Sequence, residues 1–216
     1  MVARTGRNIW RSKRLICRPA EPTDEPFLQS INNSGTSDTF QNAAPFLPVP
    51  QGSVAAAKGY REWLEKCLLG CIVCLPPSIA PETTAAIPAD AAAAVAATKP
   101  IPIGTISLMN REANQVHHRN TSLGITLAPA YQGQGYGSEI LLWTLEWAFR
   151  HANLHRVEIG AFAYNEGAWK LYQRLGFVEE GRKREAIWYD GAYRDCVEMA
   201  MLRREWEERY GERKDE

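Results

Sequence analysis

The sequence predicts a mixed α/β or α+β domain from the order in which strand and helix patterns follow one another. Strands suited to antiparallel pairing come first, a strand–helix–strand–helix succession follows, and a hairpin pattern comes last. The chain has 216 residues, enough for one sizeable core and short for two full domains. We therefore expect a single domain over 13–210, with a basic tail over 1–12 and a charged tail over 211–216.

Charge and composition exclude two classes of protein. Lys plus Arg and Asp plus Glu number 25 each, so the formal net charge is zero. This balance argues against a nucleic-acid-binding protein, which normally carries a basic excess. No apolar run approaches the roughly 18–20 residues that cross a bilayer, so we expect no membrane partner.

The cysteines and the N-terminus indicate the compartment. Five cysteines form an odd, scattered set, unlike the disulfide framework of a small secreted protein. Cys67, Cys71 and Cys74 are closely spaced, but apolar residues surround them, so we expect buried structural thiols and no metal site. The basic residues before the first acid, Glu21, also occur in transit peptides; Gly6 would interrupt a helix there, and we interpret them as an ordinary tail. We expect a reducing compartment and a cytoplasmic protein.

The first half of the chain predicts two strands and two helices. An alternating pattern over 13–18 predicts the first strand. Thr23, followed by two acids, is typical of a helix N-cap, and Gly35 would end that helix. A second helix ends at Gly70, before a strand over 71–75. The apolar residues at helical spacing in this second helix are Tyr60, Trp63, Leu64, Cys67 and Leu68.

Two segments are predicted to be irregular. A loop over 37–52 contains three prolines. The segment 76–102 is rich in alanine and proline, and it cannot bury enough surface to offset the entropy lost on ordering. We predict that 76–102 is a flexible surface insertion between neighbouring strands, since a longer loop adds little closure entropy.

Strand patterns return after this segment. The stretches 103–109 and 119–127 are predicted to pair, and a further strand is predicted over 155–163. The strongest helical pattern of the chain lies between the last two strands. Its apolar face consists of Ile140, Leu141, Thr144, Leu145 and Ala148.

The last part of the chain predicts a helix and a hairpin. The helix covers 166–175, and Gly176 closes it. Asp190-Gly191 suits a type I′ turn, and it predicts a hairpin whose strands are 187–189 and 192–202.

A glycine-rich turn separates the strand over 119–127 from the strongest helix. It reads Tyr131-Gln132-Gly133-Gln134-Gly135-Tyr136-Gly137-Ser138. Backbone N–H groups converge where such a turn opens a helix, the helix dipole favours negative charge, and glycine lets a phosphate approach closely. The turn therefore predicts a site for a phosphorylated ligand.

Two common phosphate-binding loops fit this turn poorly. A Walker A loop needs a lysine, which the turn lacks. A dinucleotide-binding Gly-x-Gly-x-x-Gly turn needs its third glycine one residue later than Gly137, although Glu158 could take the place of its ribose-binding acid. A nicotinamide-dinucleotide-binding enzyme and a purely structural glycine turn stay open as alternatives.

Two motifs together resemble the GCN5-related N-acetyltransferase (GNAT) family. Gln132-x-x-Gly135-x-Gly137 is similar to the family's pyrophosphate loop, and the segment from Asn165 to Phe177 is similar to its Asn-x-x-Ala-x-x-Leu-Tyr-x-x-x-Gly-Phe element. The opening Arg14-Leu15-Ile16-Cys17-Arg18-Pro19 and the closing Met201-Leu202 with Glu205-Trp206 resemble the ribosomal-protein N-acetyltransferase (RimJ/RimL-like) branch. The resemblance implies the GNAT fold, a central, mostly antiparallel twisted sheet of about six to seven strands with a splayed parallel pair and about four flanking helices.

The resemblance also implies acetyl-coenzyme A (acetyl-CoA) as the cosubstrate. For its pyrophosphate it implies Gln132, Gln134, Gly135, Gly137 and Ser138, with Gly133 and Tyr136 lining the same turn. Ile125 and Leu127 would offer backbone groups to the pantetheine arm, and a backbone N–H in the strand that contains Thr126 would stabilise the oxyanion. Asn165 would cap its helix and also touch the pantetheine arm.

The implied reaction is transfer of the acetyl group to a primary amine, on a small molecule or a protein N-terminus, by direct attack in a ternary complex. An amine with a pKa of ~10.4 is protonated at neutral pH, so a general base must remove its proton. Tyr172 corresponds to the tyrosine that protonates the leaving thiolate, and a core aromatic is its alternative role. For the base, Glu158, His117, His118 and a water relay stay open. A CoA-binding module without turnover is the alternative to an enzyme, and the assembly is expected to be a monomer or homodimer.

Overall fold

A seven-stranded sheet runs through the described part of this computed structural model, which comprises residues 8–32, 53–77 and 99–211. The strands are β1 (Ile16–Arg18), β2 (Leu69–Leu75), β3 (Ile101–Leu108), β4 (Asn120–Leu127), β5 (Arg156–Phe162), β6 (Val178–Tyr189) and β7 (Ala192–Leu202). Their order is β1-β2-β3-β4-β5-β7-β6, and every neighbouring pair is antiparallel except β4 and β5. The predicted mixed architecture, with a mostly antiparallel sheet and one parallel pair, is confirmed.

The parallel pair separates soon after it begins. β4 and β5 pair only from Asn120↔Arg156 to Ser122↔Glu158, whereas β4 stays paired with β3 as far as Leu127. The edge of β4 that faces β5 therefore has no strand partner beyond Ser122 among the residues that the structure describes. Backbone N–H and C=O groups on such an edge are available to a ligand.

Five α-helices cover the two faces of the sheet in the described ranges. They are α1 (Glu25–Asn32), α2 (Val54–Lys66), α3 (Tyr136–Glu146), α4 (Glu166–Arg174) and α5 (Arg203–Tyr210). Ile72 and Cys74 of β2 join a small core with α1 and α2, while Cys71 and Val73 join the large core with α3, α4 and α5. The sheet thus separates two cores, and α5 is a helix that the sequence did not predict.

The second helix ends earlier than predicted. The prediction placed its end at Gly70, but α2 ends at Lys66, Cys67 is extended with ψ 156°, and Gly70 belongs to β2. A Cβ atom on Gly70 would lie 2.0 Å from the Leu64 carbonyl oxygen, so the strand passes the end of α2 at a distance that only glycine permits. Apolar spacing that continues through 67 and 68 concealed the turn.

The first helix begins differently from the prediction. Thr23 is not an N-cap but lies inside a 3₁₀ turn, Pro22–Asp24, that leads into α1. The Asp24 carboxylate accepts the Glu21 N–H at 2.8 Å, and it accepts two further hydrogen bonds from the Arg18 guanidinium at 2.6 and 2.7 Å. These contacts, which join residues on both sides of the turn, determine where the helix begins.

Predictions for the second half agree with the structure within a few residues, apart from β6. The hairpin turn has φ of 46° at Asp190 and 74° at Gly191, as a type I′ turn requires. β6 begins at Val178 rather than at 187. The sequence concealed this strand because 178–186 is rich in exposed charged residues and has no apolar alternation.

Several predictions fall wholly or mostly outside the described residues. These are the end of the first helix at Gly35, the loop over 37–52, the insertion over 76–102, and the tails over 1–12 and 211–216. The described ends of β2 and β3 pair with each other, Leu75 opposite Ile101, so the segment 76–100 connects two neighbouring strands.

Candidate active site

The glycine-rich turn leaves the N-terminus of α3 without a side-chain cap. Gly133 and Gly135 have positive φ of 71° and 81°, a region that glycine enters without strain. Gly135 is the N-cap residue. It has no side chain that could accept a hydrogen bond, so the first N–H groups of α3 depend on another acceptor. The positive end of the helix dipole lies at the same point, and the turn is therefore suited to bind an anion.

A cavity of about 520 Å³ lies between this turn, the free edge of β4 and α4. Its volume falls within the range of ligand-binding pockets, about 300–1,000 Å³. Nine residues predicted to bind the cosubstrate line it, and they are Ile125, Thr126, Leu127, Gln132, Gly133, Gly135, Gly137, Ser138 and Asn165. The fold thus brings the predicted strand, turn and helix cap around one space.

Two predicted residues, Gln134 and Tyr136, do not line the cavity. The Gln134 side chain donates to the Ala130 carbonyl, just before the turn, at 2.7 Å, and the Arg14 guanidinium lies over the Tyr136 ring, 4.5 Å from its centroid. Both residues therefore make contacts that support the turn outside the cavity. Gln132 lines the cavity, but its side-chain amide donates to the Leu127 carbonyl at 2.9 Å and ties the turn to the end of β4.

A segment near the N-terminus braces the start of α3. The Glu139 carboxylate, in the first turn of the helix, accepts hydrogen bonds from Ser12 and Arg14. Burial acts to raise the pKa of Glu139, but the hydrogen bonds from Ser12 and Arg14 outweigh it and hold the pKa below its usual range. The Arg14 guanidinium also donates to the Gln134 carbonyl at 3.2 Å. The turn is thus held in place by contacts with residues that are distant from it in the sequence.

Tyr172 of α4 lies beside the cavity with its ring in the large core. The residue is 6% exposed, and its ring centroid lies 6.0 Å from that of Phe177. Burial raises the pKa of the hydroxyl to about 12, so the phenol stays protonated at neutral pH. Within the described residues this hydroxyl has no hydrogen-bond partner. A buried polar group in this position is available to a ligand.

Five residues that line the cavity were not predicted from the sequence. They are Leu141, Gly167, Ala168, Leu171 and Arg174. Gly167, Leu171 and Arg174 are spaced i, i+4 and i+7 on α4, and this helical spacing could have identified them. Arg174 is exposed and forms no salt bridge with any described residue, so its positive charge is available to an anion.

Asn165 has the predicted capping role. Its side-chain oxygen accepts the Ala168 N–H at 3.2 Å at the start of α4, and the residue also lines the cavity. The cap fixes the helix that carries Tyr172 against the free edge of β4.

Glu158, a predicted candidate for the base, lies outside the cavity. Its neighbours in β5 enter the large core, so its side chain points to the opposite face of the sheet. There its carboxylate contacts Arg156 at 3.2 Å, Arg111 at 3.5 Å and the Ser122 hydroxyl at 3.4 Å. The structure therefore does not bring Glu158 and Tyr172 into one space.

The two candidate histidines also lie outside the cavity. His117 and His118 are exposed at the end of a 3₁₀ turn, Ala113–His118, that precedes β4. Their ring centroids are 3.9 Å apart. The cavity thus holds none of the three side chains that the sequence offered as a base.

The cysteines are all free thiols. Cys17, Cys71 and Cys74 are buried, and Cys67 and Cys196 are partly exposed. Burial raises the pKa of Cys71 to about 12 and of Cys74 to about 11, so both are protonated at neutral pH. Over residues 8–32, 53–77 and 99–211, no group of three or more His, Cys, Asp or Glu side chains could hold a metal ion. None of the helices in these ranges has the length and apolar character needed to span a bilayer.

Comparison with known proteins identifies the family. The chain matches the acetyltransferase (GNAT) domain over residues 14–178, more than half of its length. A spermidine N(1)-acetyltransferase of Vibrio cholerae is 34% identical over 100 residues, which cover 46% of this chain and 56% of that protein. The putative ribosomal N-acetyltransferase YdaF of Bacillus subtilis is 35% identical over 104 residues, which cover 48% of this chain and 55% of that protein. The chain thus spans about half the length of these curated relatives.

A solved structure shows the same fold. Spermidine N-acetyltransferase of Vibrio cholerae in complex with CoA and spermine has a TM-score of 0.65 at 22% identity, over 89% of this chain and 98% of that chain. The predicted resemblance is confirmed, and the ribosomal branch is represented among the relatives beside spermidine acetyltransferases. On the match over 14–178, this chain belongs to the GNAT acetyltransferase family.

Proposed function

We propose that this chain is an acetyl-CoA-dependent N-acetyltransferase that transfers the acetyl group to a primary amine by direct attack in a ternary complex. The observation that carries the proposal is the cavity, where an uncapped helix N-terminus, a free strand edge and a buried tyrosine hydroxyl meet. These features suit a pyrophosphate, an amide-containing arm and a leaving thiolate, respectively. Membership of the GNAT family supports the same interpretation.

The lining of the cavity suggests how the cosubstrate is held. Backbone N–H groups of 133–138 bind the pyrophosphate at the start of α3, and Arg174 adds a positive charge on α4. Ile125 and Leu127 on the free edge of β4 hydrogen-bond the pantetheine arm through their backbone, with Asn165 on the other side. Gln134 and Tyr136 act indirectly, because they support the turn without lining the cavity.

The chemistry assigns a task to each group. The amine must lose a proton before it attacks the thioester, because an ammonium group has no lone pair to donate. A backbone N–H on the free edge of β4, near Thr126, stabilises the oxyanion that forms. Tyr172 donates a proton to the departing sulfur, and its pKa of about 12 keeps it in the donating form at neutral pH.

The acceptor reaches the thioester from the face of the sheet opposite α3 and α4. Those helices and the cosubstrate occupy one side, and the gap between β4 and β5 opens to the other. Glu158 lies on that second face, where the two strands part, and we keep it as the candidate base. This role stays a prediction that a pH–rate profile tests.

Calorimetric titration with acetyl-CoA tests the proposal. Gly133→Glu places a carboxylate in the turn, and Gly191→Glu is its matched control. Both glycines have positive φ, 71° and 74°, and a Cβ atom at either would have nothing within 4 Å. We expect the wild type and the control to bind, and the Gly133 variant to bind at least about tenfold more weakly, because like charges repel.

Turnover separates an enzyme from a CoA-binding module. Thiol release from acetyl-CoA in the presence of a panel of primary amines should exceed release without amine. Binding of NADH without binding of acetyl-CoA would overturn the proposal in favour of a dinucleotide enzyme. Binding of acetyl-CoA with no amine-dependent thiol release would leave only the binding module.

The assembly and the location stay predictions. A monomer or homodimer is expected, and light scattering coupled to gel filtration measures which of them forms. A cytoplasmic location is supported by the five free thiols, which suit a reducing compartment.

A further inference from the structure

Within the described ranges, helices cover only part of the face of the sheet opposite α3 and α4. The small core under α1 and α2 includes residues of β2, but within the described ranges it includes none from β5, β6 or β7. Gly160, in the middle of β5, is exposed, and the nearest contact of a Cβ atom there would be the Val197 carbonyl at 3.8 Å. We call the area that β5, β6 and β7 present on this side the acceptor face, because in the proposed function the acceptor approaches from this side, near the point where β4 and β5 stop pairing.

The strand register identifies the side chains on the acceptor face. Glu158, Gly160 and Phe162 alternate with core residues along β5. Gly160 and Phe162 stand opposite Glu198 and Cys196 of β7. Residues opposite each other in an antiparallel pair share a face, so these five residues lie on the same side of the sheet.

Acidic side chains on the acceptor face already have basic partners. Glu158 and Glu180 both bind Arg156, and Glu198 binds Lys183. A polyamine carries several ammonium groups, and withdrawing them from water is unfavourable unless unpaired carboxylates receive them. Among the described residues, these three acids of the face thus offer a polycation no surplus of unpaired carboxylates.

Three aromatic rings form a continuous stack on the acceptor face. The ring centroids of Phe162 and Tyr164 are 5.4 Å apart at 22°, and those of Tyr164 and Tyr189 are 4.0 Å apart at 8°. Tyr189 stands opposite Ala192 of β7, which lies on the same side of the sheet as Cys196. Asn165, which lines the cavity, donates its N–H to the Phe162 carbonyl at 2.9 Å, so the stack begins next to the cavity.

We propose that the acceptor is a monoamine carried on a flat aromatic group, which packs against the stack of Phe162, Tyr164 and Tyr189 while its amine points to the gap between β4 and β5. This inference rests on the proposed function. Planar groups prefer offset or edge-to-face contact with an aromatic ring, and such contact adds affinity beyond that of the buried area alone. One ammonium group needs no surplus of carboxylates, which agrees with the paired acids of this face.

Matched amines test the inference. At saturating acetyl-CoA, thiol release is measured with 2-phenylethylamine, with 2-cyclohexylethylamine, which has the same charge but is not flat, and with spermidine. We expect kcat/KM for 2-phenylethylamine to exceed the other two values by at least about tenfold, the factor that 1.4 kcal/mol of binding energy supplies.

Variants of the stack localise the effect. Tyr189→Leu should raise KM for 2-phenylethylamine while kcat changes little, and Tyr189→Phe, which keeps the ring, should restore KM. The control is Tyr193→Leu, because Tyr193 is 62% exposed near the same hairpin turn and contacts Trp188 rather than the stack. Calorimetry with acetyl-CoA on each variant shows that the protein is folded.

The outcomes separate the two proposals. If acetyl-CoA binds but spermidine or 2-cyclohexylethylamine is the preferred acceptor, this inference is overturned and the proposed function stands. If Tyr189→Leu and Tyr193→Leu behave alike, the stack is not the acceptor site and the inference is overturned. If acetyl-CoA does not bind to the folded wild type, the proposed function and this inference are both wrong.

Discussion

Arg14 binds Glu139 twice, through its backbone N–H and through its guanidinium Nε, each 2.6 Å from a carboxylate oxygen. The two residues are 125 positions apart in the chain. Their contact joins the segment before β1 to the first turn of α3, next to the glycines that line the cavity. The shape of the proposed pyrophosphate site therefore depends on a residue far from the glycine-rich turn in the chain.

Glu139→Gln tests this brace. The pKa of Glu139 is lowered in the folded protein, so its stabilising effect is present above the unfolded pKa of about 4.3 and is lost as the pH falls through the lower folded value. We expect the variant to be about 1–2 kcal/mol less stable at pH 7, with the difference shrinking below about pH 4.3. Urea unfolding of both proteins across this pH range measures it. A difference that does not depend on pH would contradict the assignment.

Tyr172→Phe separates function from stability. We expect kcat to fall by at least about 100-fold, the effect of losing a general acid, with less than about a threefold change in the Kd of acetyl-CoA. The hydroxyl has no partner among the described residues, so its removal should leave the unfolding free energy unchanged or raise it slightly. The rate of thiol release measures kcat, and thermal unfolding measures the stability. A variant with normal kcat would make Tyr172 a core aromatic.

Gly70→Ala tests the close passage of β2 beside α2. A Cβ atom at residue 70 would lie 2.0 Å from the Leu64 carbonyl oxygen, so we expect a loss of at least about 2 kcal/mol in the free energy of unfolding. Gly59→Ala is the control, because residue 59 lies in α2 with nothing within 4 Å of its Cβ position. That variant should be stabilised by about 0.5–1 kcal/mol. Equal effects of the two substitutions would refute the steric explanation.

Arg174→Gln tests the positive charge that this residue places at the cavity. We expect the Kd of acetyl-CoA to rise by about three- to tenfold, and the dependence of Kd on salt concentration to weaken, because one attractive charge is gone. Lys170→Gln is the control on the same helix, since Lys170 binds Glu166 and does not line the cavity. Titrations at low and high salt measure both variants. The same loss in the two variants would mean that only the net charge of the helix matters.

Glu158→Gln tests the remaining candidate for the base. If Glu158 removes the proton from the amine, kcat/KM should fall by about 100-fold or more, and the acidic limb of its pH profile should disappear. Glu180→Gln is the control, because Glu180 also binds Arg156 but lies farther from the gap between β4 and β5. A small loss with an unchanged acidic limb would leave a water relay as the route for the proton.

Some elements could be predicted from the sequence and others could not, and the reasons are physical. The turn at 190–191 and the glycine-rich turn were predictable because each depends on backbone conformations that neighbouring glycines allow. The end of α2 was not predictable. Glycine is required at residue 70 because the Leu64 carbonyl lies so close, and this contact exists only once β2 packs beside α2. β6 was missed because its exposed, charged residues owe their strand conformation to pairing with β7.

For the site, the sequence by itself determined the glycine-rich turn, the capping asparagine and the family resemblance, since these depend on residues close together in the chain. Only the tertiary structure decided where β4 and β5 part, that Arg14 braces Glu139, and that Glu158 points away from the cavity. It also decided that Tyr172 is buried without a hydrogen-bond partner among the described residues. The reason is that burial, strand separation and the face to which a side chain points are set by residues far apart in sequence, which a local pattern does not relate.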